Sequence, residues 1–223
     1  MDYPVSFTID LKKNTYGGLY IALEGIDGSG KTTQVEKLAE YFEKQGKTVV
    51  RTHEPRRDGV MGELVSNILK EEKHIPEIAV QYLFAAQRSV HLEELVVPSL
   101  SGGNVVISDR CFWSSIPYGL LDRFESGKNE NPEQMMAALS ILSMYHEFVA
   151  PDYTFVLDVS VETAGKRISE LHREAELYEK KEKLLKIREG YEFLLEKFPG
   201  ALVKVDAEQD VEKVTASILS EIQ

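Results

Sequence analysis

Residues 20–33 read YIALEGIDGSGKTT, and the rest of the chain is organised around this stretch. Gly25, Gly30, Lys31 and Thr32 fill every fixed position of the pattern G-x-x-x-x-G-K-[ST]. The apolar run Leu19-Tyr20-Ile21-Ala22-Leu23 ahead of it reads as a short strand. Behind it, Val35, Leu38, Ala39 and Phe42 recur at helical spacing, which predicts an amphipathic helix over 32–44. Strand, loop and helix in that order are the context in which the pattern holds phosphate. Glycines let backbone N–H groups turn inward around phosphate oxygens, and the helix N-terminus adds partial positive charge. Lys31 then reaches the β and γ phosphates, and the Thr32 hydroxyl suits Mg²⁺. Asp27, Gly28, Ser29 and Thr33 complete the candidate ATP-binding loop. A plain glycine-rich turn before a helix would not need all four fixed positions and both flanks.

The 223 residues are 43% hydrophobic and 28% charged, the composition of one globular domain with a substantial core. A net charge of −11 argues against a general nucleic-acid or membrane-surface binder. A nucleotide site remains compatible, because it concentrates its few cations locally. No apolar run approaches the length needed to span a bilayer, and no secretory signal pattern opens the chain. Cys111 is the single cysteine, so no internal disulfide forms, which fits a reducing cytoplasm.

Strand and helix signals alternate along the chain. Val5, Phe7, Ile9 and Leu11 alternate with polar residues and predict an extra N-terminal strand at a sheet edge, with a disordered tail as the alternative. Residues 1–18 thus read as an extension, and 19–223 as the main domain. Further strands are expected at 47–52, 104–108, 153–159 and 201–206. Helices are expected at 60–72, 77–98, 114–123, 132–148 and 211–222, with a charged helical region over 162–198 broken near 172–179. This order predicts a doubly wound parallel α/β sheet covered by helices on both faces.

In such sheets ligands bind at the C-terminal ends of the strands. The second strand leads into Glu54, Pro55, Arg56 and Arg57. The third ends at Asp109-Arg110, making Asp109 a candidate Mg²⁺ ligand, directly or through water, and Arg110 a phosphate clamp. The alternatives are an N-cap or a salt bridge to Arg110 for Asp109, and a structural ion pair for Arg110. Phe84 and Arg88 lie one helical turn apart, so a base stacking on the ring would meet the guanidinium. A core Phe with a surface Arg is the alternative. Arg167 and Arg173 are candidate cations over a transferring phosphoryl group. The five histidines lack metal-ligand spacing. Cys111 reads as packed, and Trp113 as core or pocket wall.

Taken together, these residues resemble the thymidylate kinase family over about 19–214. ALEGIDGSGKTTQ resembles its phosphate loop and THEP its monophosphate loop. LFAAQRSVH resembles its base-binding helix, and VVISDR followed by SSIPYG its Asp-Arg segment. KIREGYEFL and VDAEQDVEKV resemble its C-terminal part. The resemblance implies a P-loop kinase fold with a lid at about 165–180. It implies transfer from ATP to dTMP with Mg²⁺, by a homodimer. By position, Phe84 would stack on thymine, Arg88 would contact the base carbonyl and the monophosphate, and Arg110 would bind the acceptor phosphate. Ser115 would face the N3 edge. Tyr118 would lie under the deoxyribose, and Asp27 would hold the 3′-hydroxyl or a metal water.

Some positions depart from the family pattern. Cys111 stands where Tyr is usual and Pro117 where Ala is usual. The loop PRRDGVMG replaces the common bacterial PGGT form and makes Arg57 a further phosphate-contact candidate. HREAELYEK lacks an arginine expected near Leu177. Another nucleoside-monophosphate kinase or a deoxynucleoside kinase on the same fold is the rival enzyme. A GTPase-type switch would need Asn-Lys-x-Asp after a strand, which is absent.

Overall fold

The computed structural model describes residue 8 and residues 10–69, 75–120, 132–170 and 177–222. Leu19–Glu24 (β1) is buried almost throughout, as a central parallel strand covered on both faces must be. Val105–Asp109 (β3) pairs with it on one side and Tyr153–Asp158 (β4) on the other. Val49–His53 (β2) and Val203–Asp206 (β5) close the edges, giving the all-parallel order β2-β3-β1-β4-β5. The expected architecture is therefore present. β1 leads away to β2 at one edge and β4 to β5 at the other, so the winding reverses beside β1. Ligands in open α/β sheets bind outside the strand C-termini at such a reversal.

The two faces of the sheet follow the period-2 alternation of a strand. Ile21, Leu23, Val105 and Ile107 pack with Val35, Leu38 and Phe42 of Lys31–Lys44 (α1) in the larger core. Tyr20 and Val106 face the other way and pack with Leu92, Val96 and Leu100. Those three belong to a continuous helical segment formed by Glu77–His91 (α3), a wider π turn at Leu92–Val96 and Val97–Ser101 (α4). The segment outruns the expected helix by three residues. Pro98 lacks the N–H that would reach four residues back, and the backbone widens into the π turn just before it.

Gly59–Leu69 (α2) packs on α3. After β3 come a 3-10 turn at Phe112–Ser114 and the short helix Ser115–Gly119 (α5), then Pro132–Leu142 (α6). Val161–Glu170 (α7) and Leu177–Lys197 (α8) lie on either side of residues 171–176, which are outside the described ones, and α8 begins within the break expected at 172–179. Val211–Glu221 (α9) ends the fold.

The expected N-terminal edge strand lies mostly outside the described residues. Its described remainder adds nothing to the sheet: Lys12 makes one isolated bridge to Val149, and the Ala150 N–H donates to the Lys12 carbonyl at 2.8 Å. Asn14 then donates to Asp152 at 2.7 Å, and Asp152 also accepts from the Tyr20 N–H at 2.8 Å. The segment is thereby fastened at the N-terminal end of β1, opposite the ligand side.

Candidate active site

The loop between β1 and α1 has the shape its glycines permit. Gly25 adopts φ 134° and Gly28 φ 81°. A Cβ at Gly25 would stand 2.7 Å from the Leu157 carbonyl, and one at Gly28 would stand 2.6 Å from that of Ala164. Both the backbone angle and the neighbours therefore exclude a side chain. Lys31 Nζ folds back over the loop and donates to the carbonyls of Gly25 at 3.2 Å and Ile26 at 3.0 Å. Burial, with the added charge of Arg110, pushes its pKa down to about 8. Ser29 Oγ is buried without a hydrogen-bond partner among the described residues. The loop's positive-φ glycines and its buried lysine suit a phosphate oxyanion.

Thr32 opens α1 beside the loop and donates from Oγ1 to Asp109 Oδ2 at 2.7 Å. Two hard oxygen donors meet here at the ends of α1 and β3. They suit Mg²⁺, which takes few protein ligands and completes its shell with phosphate and water. Asp109 does not pair with Arg110, as one alternative had it. Arg110 instead reaches Asp27 at 2.6 Å, with Oδ1 accepting. Its other arm donates to the Gly25 carbonyl, Ser114 Oγ and Tyr191 OH at 3.1, 3.3 and 3.2 Å. Arg110 is a non-glycine residue at φ 76°, and its own carbonyl accepts from Ser108 Oγ at 2.6 Å.

Behind Arg110 sits Glu24, fully buried. Its carboxylate accepts from Ser114 Oγ at 2.5 Å, Tyr191 OH at 2.7 Å and the Cys111 N–H at 2.9 Å. A buried carboxylate is tolerable only with such partners. Cys111 is packed beside it, and burial followed by the charges of Glu24 and Glu54 pushes its thiol pKa well up. That environment suits a structural cysteine and opposes a nucleophilic one.

A cavity of about 420 Å³ opens next to the loop. Asp27 borders it from the loop after β1, Glu54, Pro55 and Arg57 from the end of β2, and Phe84 and Arg88 from α3. Arg110, Ser115 and Tyr118 complete the far wall. The expected acceptor residues from four separate stretches thus converge on one space. The polarity of the Phe84–Arg88 pair is the reverse of the ordinary alternative: Arg88 is 4% exposed, while Phe84 is half-buried on the cavity wall.

Arg88 is locked from every side. Its Nε donates to Glu54 Oε2 at 2.5 Å. Its NH1 donates to Ser115 Oγ and, at 3.0 Å, to Tyr145 OH. Its guanidinium carbon lies 5.8 Å from the Phe84 ring centre and 5.4 Å from that of Tyr145. Glu54 Oε1 is met by His91 Nδ1 at 3.1 Å, and His91 Nε2 meets Thr52 Oγ1 at 2.8 Å. Burial alone would raise the Glu54 pKa. Arg88 and His91 outweigh it and hold the carboxyl below its ordinary value. Tyr118 packs its ring 5.1 Å from the Arg110 guanidinium carbon, and burial pushes its phenol pKa up to about 12.

Arg167 stands apart from this cavity, over the phosphate loop. Its NH1 lies 4.0 Å from where a Gly30 Cβ would be, and its NH2 donates to the Ala207 carbonyl at 3.0 Å. Thr33 is exposed in the first turn of α1. Arg173 lies outside the described residues. Trp113 is core, 2% exposed.

Glu24, Gln81, His91, Tyr145, Lys183 and Tyr191 were not among the expected site residues, although each touches the cavity or the residues that line it. Glu24 could have been noticed, since an acid ending an apolar strand needs a partner. His91 was set aside for lack of metal-ligand spacing, yet it follows Arg88 by one helical turn. Tyr145 and Tyr191 carry no local signal.

A phosphate cradle with its lysine and an adjoining cavity, with an arginine between them, suit a phosphotransferase. The family model for thymidylate kinase matches residues 23–218. A probable thymidylate kinase of Pyrococcus horikoshii is 36% identical over 209 residues, 91% of this chain and 95% of that protein. One of Thermococcus kodakarensis is 35% identical over 216 residues, 92% and 97% of the two chains. A thymidylate kinase of a Sulfurihydrogenibium species is 32% identical over 208 residues, again 92% and 97%. A match this long, running through the loop, the cavity and the charged pair between them, settles the descent of the molecule: the chain belongs to the thymidylate kinase family.

Proposed function

We propose that the protein transfers the γ-phosphoryl group of ATP to dTMP, giving ADP and dTDP. The observation that carries this reading is the convergence of Phe84, Arg88, Ser115 and Tyr118 on a cavity that meets the phosphate loop at Arg110. A monophosphate oxygen of dTMP attacks the γ-phosphorus in line. The bond from that phosphorus to the β,γ-bridging oxygen breaks, and ADP departs. No covalent enzyme intermediate is needed, so the protein's part is positioning and charge neutralisation.

Phe84 supplies the stacking face, Arg88 the donor to the base carbonyl at position 4, and Ser115 a hydroxyl at the N3 edge. Arg110, with Arg57 at the rim, receives the acceptor phosphate, while Asp27 faces the 3′-hydroxyl. Lys31 and the loop N–H groups hold the β and γ phosphates. Thr32 and Asp109 would hold Mg²⁺, which neutralises charge on the phosphates. The loop carries Ser29 where an arginine would add charge, so Arg167 and the lid's Arg173 supply further cations. A lid at about 165–180 belongs to the same reading.

Val60 and Leu64 on α2 and Ile78 and Tyr82 on α3 are exposed apolar side chains spaced one helical turn apart on two packed helices. We assign this face to a homodimer. Among the described residues no helix is long and apolar enough to cross a membrane. The single reduced cysteine fits a cytoplasmic setting.

A deoxynucleoside kinase would need a carboxylate free to take a proton from the 5′-hydroxyl. On this cavity wall both Glu54 oxygens are engaged, and Asp27 is paired with Arg110. A coupled ADP-release assay with dTMP, dUMP, UMP, dCMP, dGMP and thymidine as acceptors tests the reading. The expected order is dTMP above dUMP, with UMP and dCMP far below. The 5-methyl group adds only about 1 kcal/mol of burial. A clear preference for dCMP, dGMP or thymidine would overturn the assignment.

A further inference from the structure

Glu24 ends β1 with a fully buried side chain, and both of its oxygens are engaged. Oε1 accepts from the Cys111 N–H at 2.9 Å and the Ser114 N–H at 3.2 Å. Oε2 accepts from Ser114 Oγ at 2.5 Å and Tyr191 OH at 2.7 Å. The same two hydroxyls accept from Arg110 NH1, at 3.3 and 3.2 Å. Glu24 and Arg110 are thus joined through two hydroxyls, one from the turn after β3 and one from α8. NH1 also donates to the Gly25 carbonyl at 3.1 Å, and fixing one end of a planar guanidinium fixes the rest of it. Arg110 needs such a hold. At φ 76° it occupies the left-handed region, which a non-glycine residue keeps only where its surroundings impose it.

A hydroxyl has one proton to give and lone pairs to receive with. Spending that proton on Glu24 leaves Ser114 and Tyr191 only lone pairs to turn toward Arg110. Burial pushes the Tyr191 phenol pKa well up, and Glu24 adds to it, so the proton stays on the tyrosine. The carboxylate therefore sets the polarity of both groups and makes them acceptors for the guanidinium. We infer that Glu24 is a positioning residue: through the hydroxyls of Ser114 and Tyr191 it fixes Arg110 where the acceptor phosphate is received. This rests on dTMP being the acceptor nucleotide.

Glu24→Gln tests the polarity. Its amide oxygen can keep the Cys111 and Ser114 N–H groups, while its NH2 donates where the carboxylate accepted and turns the hydroxyl protons toward Arg110. Tyr191→Phe removes one of the two relays, keeps the ring, and decides the matter where Glu24→Gln does not fold. Calorimetric titration compares dTMP with thymidine, which lacks the phosphate. In each folded variant the Kd for dTMP should rise about 10-fold, while that for thymidine stays within about 2-fold. In an Arg110→Lys background, which has no guanidinium to position, adding either substitution should change the Kd for dTMP by less than about 2-fold. An unchanged Kd for dTMP, equal weakening of dTMP and thymidine, or full additivity with Arg110→Lys would overturn the role of Glu24 and leave the dTMP reading intact. A wild type that does not bind dTMP would remove both, so the two failures are told apart.

Discussion

Thr32 and Asp109, 77 residues apart in the chain, meet through a 2.7 Å hydrogen bond from the threonine hydroxyl to the carboxylate. Parallel pairing of β1 with β3 brings the end of one strand to the loop of the other, and Leu23 lies in register with Asp109. The same two oxygens are expected to hold Mg²⁺, so the hydrogen bond holds the carboxylate in place for the ion. Chelation with EDTA should abolish transfer, and added Mg²⁺ should restore it. Asp109→Asn should lower kcat by roughly 10²-fold and raise the Mg²⁺ concentration for half-activity. Full turnover in EDTA would exclude a metal at this pair.

Lys31 gives a pH signature. Its ammonium acts only when charged, and in the nucleotide-free protein its pKa is pushed down to about 8, first by burial and then by Arg110. A lowered lysine pKa means that charge is lost as pH rises through that value. kcat/KM for ATP, which reports the free enzyme, should therefore decline above about pH 8. Bound phosphates favour the ammonium, so the alkaline limb of kcat should lie at higher pH. Lys31→Ala should lower turnover by about 10²-fold or more while leaving the fold intact. Coincident limbs for kcat and kcat/KM would detach Lys31 from nucleotide binding.

Both of these rest on features that were legible in the sequence. The phosphate loop is local, so its glycines and lysine declare themselves within one stretch. The buried central strands β1, β3 and β4 show as apolar runs between helical stretches. What could not be read is whatever the fold assembles from a distance. Glu24, an acid ending an apolar strand, announces a need for partners, but only the fold brings Ser114 and Tyr191 to it. The N-terminal alternation of Val5 to Leu11 lies mostly outside the described residues, and Lys12 and Asn14 just after it are fastened below the sheet. Periodicity reports which face is apolar and not what partner that face meets.

Glu54 and Arg88 form an ion pair with side chains only 2% and 5% exposed. Deleting one member leaves the other charged and unpaired in the interior. Glu54→Ala is expected to cost about 3–5 kcal/mol in urea unfolding and to raise the KM for dTMP, because Arg88 loses its anchor. The Glu54 pKa is lowered in the folded protein, so its stabilising effect is complete above the ordinary carboxylate range. It is lost only as pH falls through the lowered value. The difference between wild type and Glu54→Ala should thus persist at pH 7 and narrow in strong acid. A variant as stable as the wild type at pH 7 would contradict the buried pair.

The apolar face of α2 and α3 predicts an association that charge can break. Ile78 is 55% exposed and Tyr82 62%, one turn apart on the outer side of α3. Light scattering should find the wild type at twice the chain mass. The double substitution Ile78→Glu and Tyr82→Glu should yield monomers that remain folded, since neither side chain is buried within the chain. A monomeric wild type at micromolar concentration would reject the dimer.

Tyr118 is where sugar discrimination is expected. Its ring is pinned 5.1 Å from the Arg110 guanidinium carbon, and Arg110 is itself tied to Asp27, Ser114 and Tyr191. A phenol whose pKa is pushed up to about 12 stays neutral at working pH, so the ring acts by shape and not by charge. A rigid ring under the deoxyribose leaves no room for a 2′-hydroxyl, whereas a mobile one would yield. Tyr118→Ala should therefore raise the kcat/KM of UMP relative to dTMP by roughly 10-fold, even though loss of the cation–π contact weakens both substrates. Tyr118→Phe keeps the ring and should keep the ratio. The ratio isolates the steric effect, because any displacement of Arg110 acts on the phosphate that both nucleotides share. If Tyr118→Ala lowers both substrates equally, the ring supports Arg110 alone, and exclusion of the ribonucleotide arises elsewhere on the cavity wall.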